Sequence, residues 1–379
     1  MVLGNVLNSK ATPQKHGRDR LQTYGRNRKR RTGLIAKYAK QSLTTLIAFA
    51  VAAGLLGQII PSPPIPSNIV FVGPKNDYYQ AHKDDYNVLF FGSSRIYNQV
   101  IPEVFDATAN QSAGLEAINS YNFGVPAMRA IDSAVLLEDV LADPPENLRW
   151  VFFESILDKG YEPIPNARTY RAMYWHDWEN TKFAADYIFT SDESLPKKVA
   201  LFGSHLLPFL YNHMNVGRLF NQVLPHEFSA EERIVAAEFT AQEGFYALRE
   251  ESDPKRQAFL ADQVGYQAAV SELGIQRDPT TEDAYLSANK KMLLARITQT
   301  IRAAGAEPIF VEPPSLHPEN DFQAAKALGT IDTLLSYKKP SEFPQLYAPT
   351  QRHDADHLNE TGAREFTQLL AQDFREAIK

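Results

Sequence analysis

Two stretches of the chain carry residue types that could do chemistry together. In Val88-Leu89-Phe90-Phe91-Gly92-Ser93-Ser94-Arg95, four large apolar residues stop at a glycine and two hydroxyls. Far downstream comes His353-Asp354-Ala355-Asp356-His357-Leu358-Asn359-Glu360-Thr361-Gly362-Ala363. There Asp354 precedes His357 by three residues, so one turn can present both to the same place. A serine hydroxyl, an imidazole that takes its proton and a carboxylate that orients the imidazole make an acyl-transfer constellation. The downstream cluster has two other readings. His353 and His357, at i and i+4 of a helix, could hold a divalent metal, or Asp354 or Asp356 could simply cap a solvated helix start.

The elements that must position these residues follow from hydrophobic patterning. The run Val88–Phe91 suits a parallel strand covered on both faces, and Gly92 lets the chain turn sharply at the strand's carboxyl end, where open α/β sheets bind ligands. A helix is expected over 102–109, and 117–126 reads as a second strand ending in a loop. Residues 129–141 place Ile131, Val135, Leu136, Val140 and Leu141 on one helical face, and 148–155 is a third buried strand. Residues 285–304 read as a helix with Gly305 at its C-cap, 306–314 as a fourth strand opening into a proline-rich loop, and 360–378 as the last helix. Alternating strands and helices predict a three-layer α/β/α fold around a parallel sheet.

These residues also resemble a known family. Gly92-Ser93-Ser94 stands where SGNH (GDSL-like) hydrolases carry Gly-Asp-Ser. Asp354-Ala355-Asp356-His357, with its Leu-Asn-x-x-Gly continuation, is similar to their C-terminal Asp-x-x-His block. The likeness covers roughly 85–160 and 284–379. It implies a flavodoxin-like core, Ser94 as nucleophile with Ser93 in the aspartate's place, His357 as base and Asp354 as its orienter. It also implies an oxyanion hole from the N–H groups of Ser94 and Gly124, with a turn glycine before Pro126 as the alternative reading of Gly124. The third block departs from the pattern: the family carries Gly-x-Asn-Asp there, whereas this chain has Glu154-Ser155-Ile156-Leu157-Asp158. An ionised Glu154 accepts hydrogen bonds and cannot donate one, so Ser155 or Asn122 would have to supply the missing donor. Neither a cofactor nor a metal is implied.

The rest of the chain sets the context. Of its 379 residues none is cysteine, which removes disulfides and thiolate chemistry. Residues 1–40 carry 11 Lys/Arg against Asp19 alone, near +10, leaving the remainder near −16; an acidic body on a basic tail is not a general nucleic-acid binder, and the tail itself could bind nucleic acid or anionic lipid, although its position suggests another role. Residues 41–60 hold no charged residue beyond this basic tail, and ~20 residues span about the thickness of a bilayer's hydrocarbon core. A single-pass anchor with a cytoplasmic N-terminus is the expectation, with a cleaved signal or a buried helix as the alternatives. Four prolines in Pro61-Ser62-Pro63-Pro64-Ile65-Pro66 open a linker expected over 61–84. Residues 161–283 interrupt the core with a largely helical, aromatic-rich insertion. Its Arg168, Arg171, Trp175 and His176 suit a sugar-binding cleft or, alternatively, an aromatic core; Arg95 and Glu154 are further candidates for substrate contact.

By resemblance and topology, the expected protein sits in a bacterial inner membrane with its catalytic domain in the periplasm or outside the cell. It would act as an esterase or O-acyltransferase on a cell-envelope or secreted polysaccharide, alongside an integral-membrane acyl-transfer or polymer-export partner. The alternative is a catalytically silent, polysaccharide-binding or assembly subunit.

Overall fold

The computed structural model describes residues 65–111, 117–157, 170–213, 228–249 and 253–379, with scattered positions between 38 and 55. The chain divides into two compact units, Met1–Ile60 and Pro61–Lys379. In the first, the described positions are helical. Among the described residues no helix is long and apolar enough to cross a membrane, and much of the expected anchor over 41–60, like most of the basic tail, lies outside them.

The second unit is built on five parallel strands: β1 (Val88–Phe91), β2 (Ser120–Asn122), β3 (Trp150–Phe153), β4 (Glu307–Glu312) and β5 (Leu334–Ser336), in the order β2-β1-β3-β4-β5. The apolar run of β1 explains its central place. Leu89 and Phe91 enter one hydrophobic core while Val88 and Phe90 enter another, because successive side chains of a strand point to opposite faces. The first core packs α4 (Ala130–Leu141) and α11 (Ala288–Ala303) against the sheet. The second packs α3 (Pro102–Ala109) and α13 (Glu360–Ala377), the latter through Phe366, Leu370 and Phe374. Three layers result, as the patterning predicts. Strand order reverses between β1 and β3, so the carboxyl ends of these neighbours flank the crevice in which open α/β sheets bind ligands.

Several elements were not anticipated, among them α12 (Asp321–Ala327), which follows the loop after β4. The three-residue β5 is half-buried along its length, too short for a periodic signal. Within the expected linker, α1 (Val72–His82) is a helix packed into the unit. Its Lys75 is wholly buried, and the ammonium donates to the carbonyls of Asn122 at 2.8 Å, Gly124 at 2.8 Å and Gly244 at 2.6 Å. Burial pushes this amine well below its usual range.

The insertion is helical where described: α5 (Tyr170–Trp175), α6 (Trp178–Phe189), α7 (Leu195–His213), α8 (Ala230–Ala241), α9 (Pro254–Ala261) and α10 (Gln263–Leu273). Trp175 and His176 are core, which corrects their sugar-cleft reading, whereas Trp178 of the same run is exposed. Trp175 packs in the first hydrophobic core, and His176 is fully buried with its Nε2 3.1 Å from Nδ1 of His205. Arg171 donates to the carbonyl of Pro126 at 2.8 Å and so ties the insertion to the loop after β2; Arg168 lies outside the described residues.

Candidate active site

The turn after β1 is shaped by a buried carboxylate. Glu154, at the carboxyl end of β3, accepts from the Ser93 N–H at 2.7 Å and the Ser93 hydroxyl at 2.8 Å, and pairs with the Arg95 guanidinium. Gly92 is required by close approach: a Cβ there would meet Glu154 Oε2 and Ile96 Cγ1, both at 2.6 Å. Ser93 thereby becomes the N-cap of the short α2 (Ser94–Tyr97), its Oγ accepting from the Arg95 N–H at 3.3 Å. With Ser93 held inward, the next residue, Ser94, turns its hydroxyl into the crevice. Arg95 and Glu154, read from sequence as candidates for substrate contact, form a buried brace beneath the serine turn, and Arg95 also lines the cavity into which Ser94 opens.

The downstream motif folds around its own carboxylate. Asp354 Oδ1 accepts from the backbone N–H groups of Asp356 and His357, both at 2.8 Å. His357 Nδ1 lies 3.0 Å from both oxygens of the same carboxylate. One side chain therefore fixes the loop and the ring together, which is what the Asp-x-x-His spacing achieves. Burial alone would raise the Asp354 carboxyl, but hydrogen bonds from the His357 ring and the two N–H groups outweigh it and hold the group at about 2. The loop closes by an antiparallel bridge between Arg352 and Leu358, so His353 and His357 share no helical face. His353 is buried and turned to Asp253, 3.5 Å away, and no cluster able to hold a metal is present among the described residues. The Leu-Asn-x-x-Gly continuation is structural: Leu358 is buried, Asn359 caps α13 through the Gly362 N–H at 3.0 Å, and a Cβ at Gly362 would meet the Gln351 carbonyl at 2.2 Å.

The two motifs meet. Ser94 Oγ lies 2.8 Å from His357 Nε2, completing a chain of contacts from Asp354 to His357 to Ser94. The serine opens into a cavity of about 250 Å³ lined by Met128, Arg129, Ile156, His317 and Asp356. It also opens into one of about 450 Å³ lined by Phe71, Tyr97, Tyr246 and Leu248. Ala127, at φ 57°, lines both, and Phe71, at φ 66°, lines the second; non-glycine residues held at positive φ concentrate strain at this wall.

The expected oxyanion donors are differently engaged. Gly124 donates its N–H to Asn122 Oδ1 at 2.8 Å, and the Asn122 amide donates to the carbonyls of Ile96 at 2.9 Å and Val100 at 2.7 Å. Asn122 thus clamps the segment after the serine turn. Gly124 is a glycine because the Tyr97 nitrogen would lie 2.3 Å from a Cβ. Ser155 lines a smaller neighbouring cavity with Glu312 and Lys338 rather than the cleft that Ser94 and His357 share. Of the four donors expected, Gly124 and Asn122 are thus engaged within the protein, whereas neither the Ser94 N–H nor Ser155 has an acceptor among the described residues. Sequence reading missed His317, in the proline-rich loop after β4; a lone histidine without a spacing partner gives no signal. No protein-family model matches the chain, and no curated protein matches it in sequence.

Proposed function

We propose that the chain is an SGNH-type serine esterase or O-acyltransferase, acting outside the cytoplasm on acyl groups of a cell-envelope or secreted polysaccharide. The observation that carries this reading is the 2.8 Å approach of Ser94 Oγ to His357 Nε2, with the Asp354 carboxylate behind the ring. Ser94 Oγ attacks the ester carbonyl carbon as its proton passes to His357 Nε2, and the carbonyl π pair moves onto oxygen. Collapse breaks the C–O bond, and the leaving alkoxide takes the proton from His357. The acyl-serine then passes to water or to a sugar hydroxyl by the same sequence, with His357 again accepting a proton. Ionised Asp354 stabilises the imidazolium formed in each half.

The polysaccharide substrate and a membrane partner rest on the resemblance, and the extracytoplasmic placement rests on the basic tail followed by the uncharged stretch at 41–60. The test is labelling of the full chain in detergent with a fluorophosphonate probe. Label is expected on Ser94, abolished by Ser94→Ala and kept at least in part by Ser93→Ala. An unlabelled wild type would favour the silent polysaccharide-binding subunit, and label on Ser93 would overturn the assignment of the nucleophile. A periplasmically active reporter fused after Lys379 should be active; activity only of a cytoplasmic reporter would reverse the topology.

A further inference from the structure

The insertion carries a helix whose polarity is inverted. α7 (Leu195–His213) buries His205 and Asn212 beside Leu201 and Pro208; the His205 ring reaches His176, and the Asn212 amide donates to the carbonyls of Met173 at 2.7 Å and Tyr174 at 3.0 Å. The opposite side faces solvent with Leu195, Val199, Leu206, Leu207, Leu210 and Tyr211, which are 38% to 66% exposed. At ~3.6 residues per turn these positions fall within one arc of about 160°. Pro196, Ala200 and Gly203 fill the rest of that arc, with His213 at its end. A helix that only faced water would show the reverse pattern, and an exposed apolar face of this length marks a contact surface. We infer that this face of α7 docks on the lipid bilayer; the inference rests on the membrane anchoring proposed above for 41–60 and not on the chemistry of Ser94.

Charge, aromatic placement and chain length select a bilayer as the occupant. From Leu195 to His213 the helix holds no Asp or Glu, while Lys197 and Lys198 stand beside the apolar arc, in a body otherwise near −16. Such a helix complements an anionic lipid surface. Trp178 of α6 is 70% exposed with its ring 6.0 Å from that of Phe209, so an indole borders the face on one side and the Tyr211 phenol borders it on the other. Rings with an apolar body and a polar edge settle at the level of lipid headgroups. On the topology proposed above the span ends at residue 60, and Ile65 is already packed in the first hydrophobic core. The five chain steps between them reach at most about 18 Å, so the folded unit is held at the lipid surface. A single tether leaves the unit free to turn; an apolar helix lying in the boundary between headgroups and acyl chains fixes which way it faces.

The experiment places the full chain in vesicles of phosphatidylethanolamine and phosphatidylglycerol, with and without phosphatidylcholine brominated on its acyl chains, and reads tryptophan emission. Trp150 and Trp175, the only other tryptophans, pack against the cores, so Trp178 is the reporter. Bromine should quench its emission about twofold, as an indole at the boundary of headgroups and acyl chains requires. Trp178→Phe should remove the quenched component. Leu206→Asp together with Leu210→Asp, at exposed positions, should abolish the quenching with the melting temperature unchanged. A wild-type Trp178 that bromine does not quench overturns the inference: quenching by aqueous acrylamide would then show a face open to water, and shielding from acrylamide would show a face covered by protein, from this chain or a second copy. Quenching that survives the two aspartates overturns it as well. Flotation separates the docking from the anchor. The aspartate variant should still float with the vesicles; a variant that sinks where the wild type floats leaves the docking standing and overturns the anchor, and a wild type that sinks overturns both.

Discussion

Glu154 occupies the position at which the chain departs from the pattern it resembles, and the structure makes it the support of the serine turn. Its carboxylate holds Ser93 and neutralises Arg95, with side-chain exposures of 1% and 8% for Glu154 and Arg95. Glu154→Gln leaves a buried guanidinium without its counter-ion, which destabilises by about 3–5 kcal/mol. Arg95→Met made together with Glu154→Gln should recover most of that loss, because the pair is coupled. Urea denaturation checks both; equal stability of wild type and Glu154→Gln would mean that the pair does not brace the turn. At this scale Ser94, Asp354 and His357 were legible because each motif is local: a capped turn after a strand, and a carboxylate three residues before a ring. The engagement of Asn122 was not legible, since its amide answers the carbonyls of Ile96 and Val100 from an earlier element.

Elements with a strong apolar period came out as the sequence predicts, within a few residues. The strand at Val88–Phe91 and the helices Pro102–Ala109 and Ala130–Leu141 are examples. The helix Val72–His82 escaped because much of its buried face, Lys75, Asn76 and Gly73, is polar or lacks a side chain, and Lys75 is satisfied only by carbonyls distant in sequence. In the insertion, the packed helices α5 and α7 bury the imidazoles of His176 and His205. Burial first, then the charge of neighbouring His205, holds His176 down at about 3; burial and then Arg129 hold His205 at about 4. An exposed imidazole titrates near ~6.5. As pH falls below that value the unfolded chain takes up protons that the folded chain refuses, so these rings lower stability progressively between about pH 6.5 and 4. Burial of Asp106, pushed up to about 7, acts in the opposite direction over an overlapping range. The informative quantity is therefore the difference between wild type and His205→Gln. That difference should shift against the wild type by about 1–2 kcal/mol between pH 7 and pH 5 in urea denaturation. A difference that does not move with pH would mean that the imidazoles are not buried neutral.

For the molecule as a whole, the reversal of strand order between β1 and β3 brings the serine turn and Glu154 side by side, and the chain's return through β4 and α13 delivers the His317 and His357 loops to the same edge. A site assembled from four separated segments depends on where the folded unit begins. Patterning places that start near residue 85, whereas the packed unit starts at Pro61. Lys75 decides between them. It is the shared donor to carbonyls on the β2 loop and on the loop leaving α8, and Tyr79 beside it packs edge-on to Phe123 at 4.7 Å and against Tyr121 at 5.7 Å. A fragment beginning at Pro61 should be soluble, unfold cooperatively and take the fluorophosphonate at Ser94 as the full chain does. A fragment beginning at Asp85 lacks α1, strands three carbonyls at about 1–3 kcal/mol each and uncovers Tyr121 and Phe123. It should aggregate or lose Ser94 labelling. Equal melting temperature and equal labelling of the two fragments would show that α1 is dispensable and that the folded unit starts with the apolar strand.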